Sequence, residues 1–129
     1  MQADAETREE ILVTLGELRA AVSERRLEGI LSLFAPDADA TMIGSSTGEI
    51  ARGPLELRTF LKRIFSSPQT LSWEWDDVSI SCAGDVAWLW LEGALVIDGR
   101  SERPYRISGV LERRQGRWIW SLFHGSEPS

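Results

Sequence analysis

Every tryptophan in this chain of 129 residues belongs to a Trp-x-Trp pair: Trp73 and Trp75, Trp88 and Trp90, Trp118 and Trp120. Two of these pairs lead to an ionisable group. Glu92 follows Trp88 and Trp90, and His124, the sole histidine, follows Trp118 and Trp120. Alternate residues of a strand share a face, so Trp88, Trp90 and Glu92 stand in one row. If that row faces a concave, poorly solvated interior, desolvation raises the pKa of Glu92 and suits it to general acid–base work. If it reaches the rim, Glu92 pairs with an arginine of the neighbouring strand, as buried charges usually do.

The same alternation places Trp118, Trp120, Leu122 and His124 on one face, and Ile119, Ser121, Phe123 and Gly125 on the other. A catalytic or metal-binding role for His124 competes with packing at a dimer interface, where tryptophan contributes a large apolar area. The packing reading is favoured. One histidine among scattered carboxylates has no metal-ligand spacing, so no metal site is expected.

Other polar groups have ordinary uses. "GSSTGE" (Gly44 to Glu49) lacks the Gly-Lys-Ser/Thr ending of a phosphate loop. Asp37 and Asp39 follow Pro36 and suit a turn, with Asp39 near a cavity mouth as the alternative. Arg113, Arg114 and Arg117 flank "RQG" and read as a solvated hairpin tip. Trp73 and Trp75 read as core or interface, since no basic groove accompanies them to hold single-stranded nucleic acid.

The elements that must position these residues are legible. Thr7 and Glu10 have capping-box spacing, and Ile11, Leu15, Leu18 and Val22 recur at helical intervals, which predicts a helix from about Thr7 to Arg25. "LEGILSLFAPDA" predicts a second short helix ended by Pro36. "DADATMIG" suggests a short strand, and Gly53-Pro54 opens a third helix bearing Leu57, Phe60, Leu61 and Ile64. After Pro68 four strands are predicted, roughly 70–82, 86–98, 103–113 and 117–125. In the first, apolar parity shifts from odd to even at Asp76-Asp77, which a β-bulge would explain. "VAWLWLEGALVI" is apolar on both faces, so both should be covered.

Helices followed by antiparallel strands predict an α+β fold, a curved antiparallel sheet wrapped around three N-terminal helices. One domain over 1–129 is expected, with 1–5 and 127–129 flexible. Helices meet one sheet face; a second copy of the chain is the simplest cover for the other.

Composition excludes several classes. At 43% hydrophobic and 26% charged the chain is ordinary for a globular protein, and its length allows a core that buries roughly two-thirds of the unfolded surface. Net charge of -6 argues against nucleic acid as a partner. No apolar run reaches the ~20 residues that span a bilayer, so no membrane association is expected. The acidic start "MQADAETREE" is unlike a signal peptide, and the lone Cys82 fits a reducing, cytoplasmic setting.

"LFAPDA", "GDVAWLWLEG" and the ending R-x-S-x-V-L-E-R-R-x-G-R-W-x-W-x-x-x-H-x-S-x-P resemble the SnoaL-like branch of the nuclear-transport-factor-2-like superfamily. The closing segment is also similar to the association domain of calmodulin-dependent protein kinase. The resemblance covers nearly the whole chain and implies a cone-shaped α+β domain. Its members include ketosteroid isomerase, scytalone dehydratase and polyketide cyclases beside non-enzymatic modules, so fold alone does not decide function. Carried over residue by residue, the isomerase's tyrosine falls on Leu18, its base on Met42 and its oxyanion-hole acid at or beside Ser108, and none of these can do that chemistry. The association domain's pocket arginines fall on Gly109, Gly125 and Glu92, which disfavours a carboxylate ligand.

The resulting expectation is a homodimer with an apolar pocket lined by Met42, Phe60, Trp88, Trp90, Glu92, Gly109 and Phe123. Trp118, Trp120, Leu122 and His124 lie at the dimer interface. Two functions follow: a cofactor-free, metal-independent isomerase, cyclase or dehydratase in which Glu92 moves a proton on an apolar cyclic or polyketide-like ligand, or a non-catalytic binding or assembly module. The enzyme reading requires Glu92 inside the cavity and unpaired.

Overall fold

A computed structural model describes residues 1–128 of the chain. Three helices precede most of the sheet, α1 (Ala5–Ser23), α2 (Leu27–Leu31) and α3 (Gly53–Phe65). Asp4, rather than Thr7, caps α1: its carboxylate accepts from the Thr7 N–H at 2.8 Å, so the helix starts earlier than the capping-box reading predicts. Ile11, Leu15, Leu18 and Ala21 bury one face of it. Arg25 turns the chain at positive φ (57°), and its guanidinium donates to the carbonyls of Phe65, Ser67 and Gln69. That links the α1–α2 turn to the end of α3. Gly53 opens α3 at φ 80°, a conformation that favours glycine, with Pro54 in the first turn as expected.

Seven strands follow the order β2-β1-β7-β6-β5-β3, with β4 also paired to β5. They are β1 (Thr41–Ile43), β2 (Ile50–Arg52), β3 (Leu71–Glu74), β4 (Ser79–Ala83), β5 (Val86–Ile97), β6 (Ser101–Arg114) and β7 (Arg117–Ser126). The sheet is curved, unclosed and mixed. The curved sheet is antiparallel at every strand pairing except that of β1, which runs parallel to β7. β2, which hairpins onto β1, is absent from the sequence reading because "EIAR" is only three strand residues between a loop and a helix. The β6–β7 turn has positive φ at Gln115 and Gly116, the two-residue geometry that matches strand twist.

Two irregularities set which side chains face inward. The parity shift at Asp76-Asp77 is a break that separates β3 from β4. Glu74 pairs with Ala94 and Ser79 with Trp90, so five steps on one side oppose four on the other. The extra residue moves inward parity from Trp73 to Val78 and Ile80, all buried. Gly93 makes room for this crossing, since an added Cβ would overlap the Glu74 carbonyl.

The second irregularity lies between β6 and β7. Val110 pairs with Leu122 but Leu111 pairs with Trp120, which leaves Ser121 unmatched, its hydroxyl donating to the Val110 carbonyl at 3.3 Å. This bulge overturns the expected faces of "RWIWSLFHG". Trp118 (4% exposed) and Trp120 (0%) are interior; beyond the bulge Phe123 and Gly125 are buried too, and only Leu122 and His124 of the four expected partners stand half-exposed on the outer face. Trp118 meets α1, where its indole N–H donates to Glu10 at 3.1 Å and Thr14 donates to its carbonyl. Trp120 fills the space that Gly109 lacks a side chain to occupy, with ring atom Cζ3 2.7 Å from where a Cβ would be.

The terminal residues are also placed. Residues 1–3 lie along β4, with Ala3 N–H donating to Ile80 and Cys82 N–H to Met1. Of the expected flexible 127–129, Glu127 N–H donates to Ser45 and Ser129 lies outside the described residues. No helix among the described residues is long and apolar enough to cross a membrane.

Candidate functional site

Between the inner sheet face and the helices lies a cavity of about 310 Å³. α1 supplies Leu18 and Val22, α2 Ile30, and α3 Phe60, Leu61, Ile64 and Phe65. The sheet supplies Met42 from β1, Trp73 from β3, Leu95 and Ile97 from β5, Tyr105 from β6 and Phe123 from β7. Each inward position follows from alternation on its strand: Tyr105, Ile107, Gly109 and Leu111 form one inward row of β6.

The sheet wall is aromatic. Trp73 stacks between Tyr105 and Phe123, with ring centroids at 6.1 and 5.5 Å, and Phe123 meets Trp120 edge-on at 5.4 Å. Offset stacks at this spacing are the favoured aromatic geometry. Arg25 lies 5.2 Å from the Phe65 ring and Arg63 lies 5.6 Å from the Phe60 ring.

Four titratable groups line the cavity: Glu49, Arg103, Tyr105 and Glu127. Arg103 and Glu127 pair at 3.6 Å, while the Glu49 carboxylate accepts from the Ser46 N–H at 2.8 Å. Tyr105 is the only tyrosine of the chain. Burial, reinforced by the charges of Glu127 and Glu49, pushes its phenol up to about 12. At neutral pH it is therefore an uncharged hydroxyl that can donate one hydrogen bond and accept others.

The residues expected from sequence divide. Met42, Phe60 and Phe123 are in the cavity wall. Gly109 faces inward beneath Trp120, away from the cavity. Trp88 (41% exposed), Trp90 (57%) and Glu92 point outward, because the buried row of β5 is Ala87, Leu89 and Leu91. Glu92 pairs with Arg106 at 3.1 Å across the β5–β6 ladder and borders an outer trough with Trp75, Trp90 and Arg19. The interior Glu92 of the acid–base reading is thereby corrected. Asp37 pairs with Arg114 at 2.7 Å, which holds its carboxyl below the usual range, and neither Asp37 nor Asp39 lines the cavity. Among the described residues no group of His, Cys, Asp and Glu side chains could hold a metal ion.

Sequence reasoning passed over Tyr105, and over Trp73 as a lining residue. A signal for Tyr105 was present: it shares period-two parity with Ile107, Gly109 and Leu111. Arg103 and Glu127 come together through the β6–β7 pairing and Glu49 joins them through the β1–β7 pairing, and none of them carried such a signal.

This chain belongs to the SnoaL-like domain family, whose match spans residues 11–129. Solved structures resemble it throughout its length. An NTF2-like protein of unknown function from Pseudomonas putida superposes with a TM-score of 0.84 at 18% identity, covering 97% of this chain and 89% of that one. An NTF2-like family protein from Streptomyces avermitilis, provisionally assigned as a dehydratase, gives 0.81 at 18%, covering 98% and 99%. ActVI-ORFA from Streptomyces coelicolor gives 0.81 at 15%, covering 95% and 98%. No curated protein matches the chain. At these identities the structural likeness establishes the fold alone.

Proposed function

We propose that the protein encloses a small, largely apolar molecule in the cavity between helices and sheet, with Tyr105 as its polar anchor. The observation that carries this is the aromatic wall of Trp73, Phe123 and Tyr105 with one half-buried phenol hydroxyl in it. Predominantly apolar cavities with a few placed polar groups are the usual form of small-molecule sites. The volume of about 310 Å³ suits a body of two or three fused rings.

Binding without turnover is favoured over the isomerase, cyclase or dehydratase reading. Proton transfer needs a base within reach of the ligand; Glu92, the residue expected to serve, sits outside in a surface ion pair. Of the two carboxylates that line the cavity, Glu127 is paired with Arg103 and Glu49 accepts from the Ser46 N–H. A phenol pushed to about 12 polarises a bound carbonyl but does not remove a proton at neutral pH. Absence of a basic groove supports a small molecule over nucleic acid, and the lone Cys82 supports a cytoplasmic setting.

Acetylnaphthalene serves as a probe. It should quench the indole fluorescence as it enters beside Trp73, and Tyr105→Phe should weaken it by about 3- to 10-fold, the value of one hydrogen bond. Full-strength binding to Tyr105→Phe, or binding undiminished when Met42→Phe narrows the cavity, would sink the reading.

The outer sheet face supports a homodimer as part of the same proposal. Val86, Trp88 and Trp90 of β5 are exposed side by side, with Val110 and Leu122 half-exposed in the row of Trp88. Contiguous apolar rows of this kind mark interfaces, and a second copy of this face would cover them. Light scattering should give twice the chain mass, and the Trp88→Lys/Trp90→Lys variant should give the monomer mass.

A further inference from the structure

The titratable groups around the cavity are unequal in sign. Arg103 is matched by Glu127 at 3.6 Å. Glu49 has no Arg or Lys within ion-pair distance among the described residues; its carboxylate is held by the Ser46 backbone N–H alone. The lining therefore carries two carboxylates against one guanidinium. Both carboxylates act on Tyr105, since each disfavours a negative phenolate there.

The aromatic wall adds to this bias. Phe60 and Phe65 already have the guanidinium groups of Arg63 and Arg25 within cation–π distance. The stack of Tyr105, Trp73 and Phe123 has no such cationic partner among the described residues. A neutral phenol oxygen able to accept an N–H and a net negative rim share one cavity.

We propose that the cavity is selective for an organic cation: a primary ammonium on a flat apolar body, donating to Tyr105 and held within the field of Glu49 and Glu127. This rests on the cavity being a binding site, as proposed above, and narrows its ligand by charge. An anion meets two carboxylates and loses the hydration that the apolar wall cannot replace. A cation is compensated by the same carboxylates and by the aromatic faces.

Three probes share one ring system and differ in charge: naphthylmethylamine (protonated at neutral pH), acetylnaphthalene and naphthoate. Calorimetric affinities for the intact protein should rank the amine first and naphthoate last, with the two separated by roughly tenfold or more. The Glu49→Gln/Glu127→Gln variant leaves Arg103 as the one charged lining group, so the amine's advantage over naphthoate should vanish or reverse. Acetylnaphthalene, being uncharged, should bind wild type and variant alike and reports that the cavity is intact. An amine no tighter than naphthoate, or an advantage that survives in the variant, overturns the charge selectivity while leaving the pocket standing. If acetylnaphthalene itself does not bind wild type, the pocket reading fails and this inference fails with it.

Discussion

The hydroxyl of Tyr105 occupies the space that Gly125 leaves on the adjacent strand, where an added Cβ would overlap the phenol oxygen. The two residues are one device: β6 delivers the phenol, and β7 must lack a side chain to receive it. Gly125→Ala should expel the phenol from its site. The cost expected is that of overpacking, about 1–3 kcal/mol, read by denaturant unfolding. The tyrosine titration should fall toward the ordinary value near 10 as the ring gains solvent. A variant that keeps both stability and titration would show that the phenol has room elsewhere.

Because Tyr105 is the only tyrosine, phenolate absorbance reports this group alone. It should titrate near 12 in the folded protein and near 10 when unfolded. The folded value is the raised one, so the native state holds the proton more tightly. Stability is then fully present below pH 10 and declines as pH rises from about 10 to about 12. In Tyr105→Phe this part of the alkaline decline should be absent. A titration midpoint near 10 in the folded chain would contradict the burial of the phenol.

Tryptophans inside and outside the sheet should answer differently to truncation. Trp120→Ala removes a fully buried indole that fills the space over Gly109 and should cost about 3–5 kcal/mol. Trp88→Ala and Trp90→Ala touch exposed side chains and should change the dissociated chain's stability by no more than about 0.5 kcal/mol. Chemical denaturation of the three variants decides the matter. Comparable losses at Trp88 and Trp120 would contradict the assignment of faces.

Glu92→Gln breaks a surface ion pair with Arg106 and leaves the cavity untouched. The change in stability should be about 0–1 kcal/mol. Acetylnaphthalene affinity should stay within twofold of wild type, in contrast to Tyr105→Phe. A large loss of probe binding would return Glu92 to the site.

Much of the architecture was legible because it rests on local chemistry. The apolar intervals of α1, the Gly-Pro start of α3 and the Gln115–Gly116 turn each act within a few residues. The family resemblance came from equally short stretches, "LFAPDA", "GDVAWLWLEG" and the closing segment. The cavity was partly legible: Met42, Phe60 and Phe123 were named from sequence, and each lies in its wall. Trp88, Trp90 and Glu92 were named as well and face outward. A row such as "VAWLWLEGALVI" is apolar on both sides, so alternation divides it into two faces without saying which is concave.

The amino-acid sequence by itself determined the three helices, most of the strands, the α+β class and the alternation within each unbroken strand; β2 and the break between β3 and β4 appear only in the fold. Tertiary structure decided which way each row points. One unmatched residue, Ser121, reverses the parity of β7 between Trp120 and Phe123, and so puts both on the inner side. A bulge is fixed by pairing to β6, which lies outside the window in which periodicity is read. The site depends on such pairings throughout: Tyr105 needs the gap at Gly125, and the charged rim needs β1 laid parallel to β7. Those are contacts between residues far apart in the chain, and only the folded sheet brings them within reach.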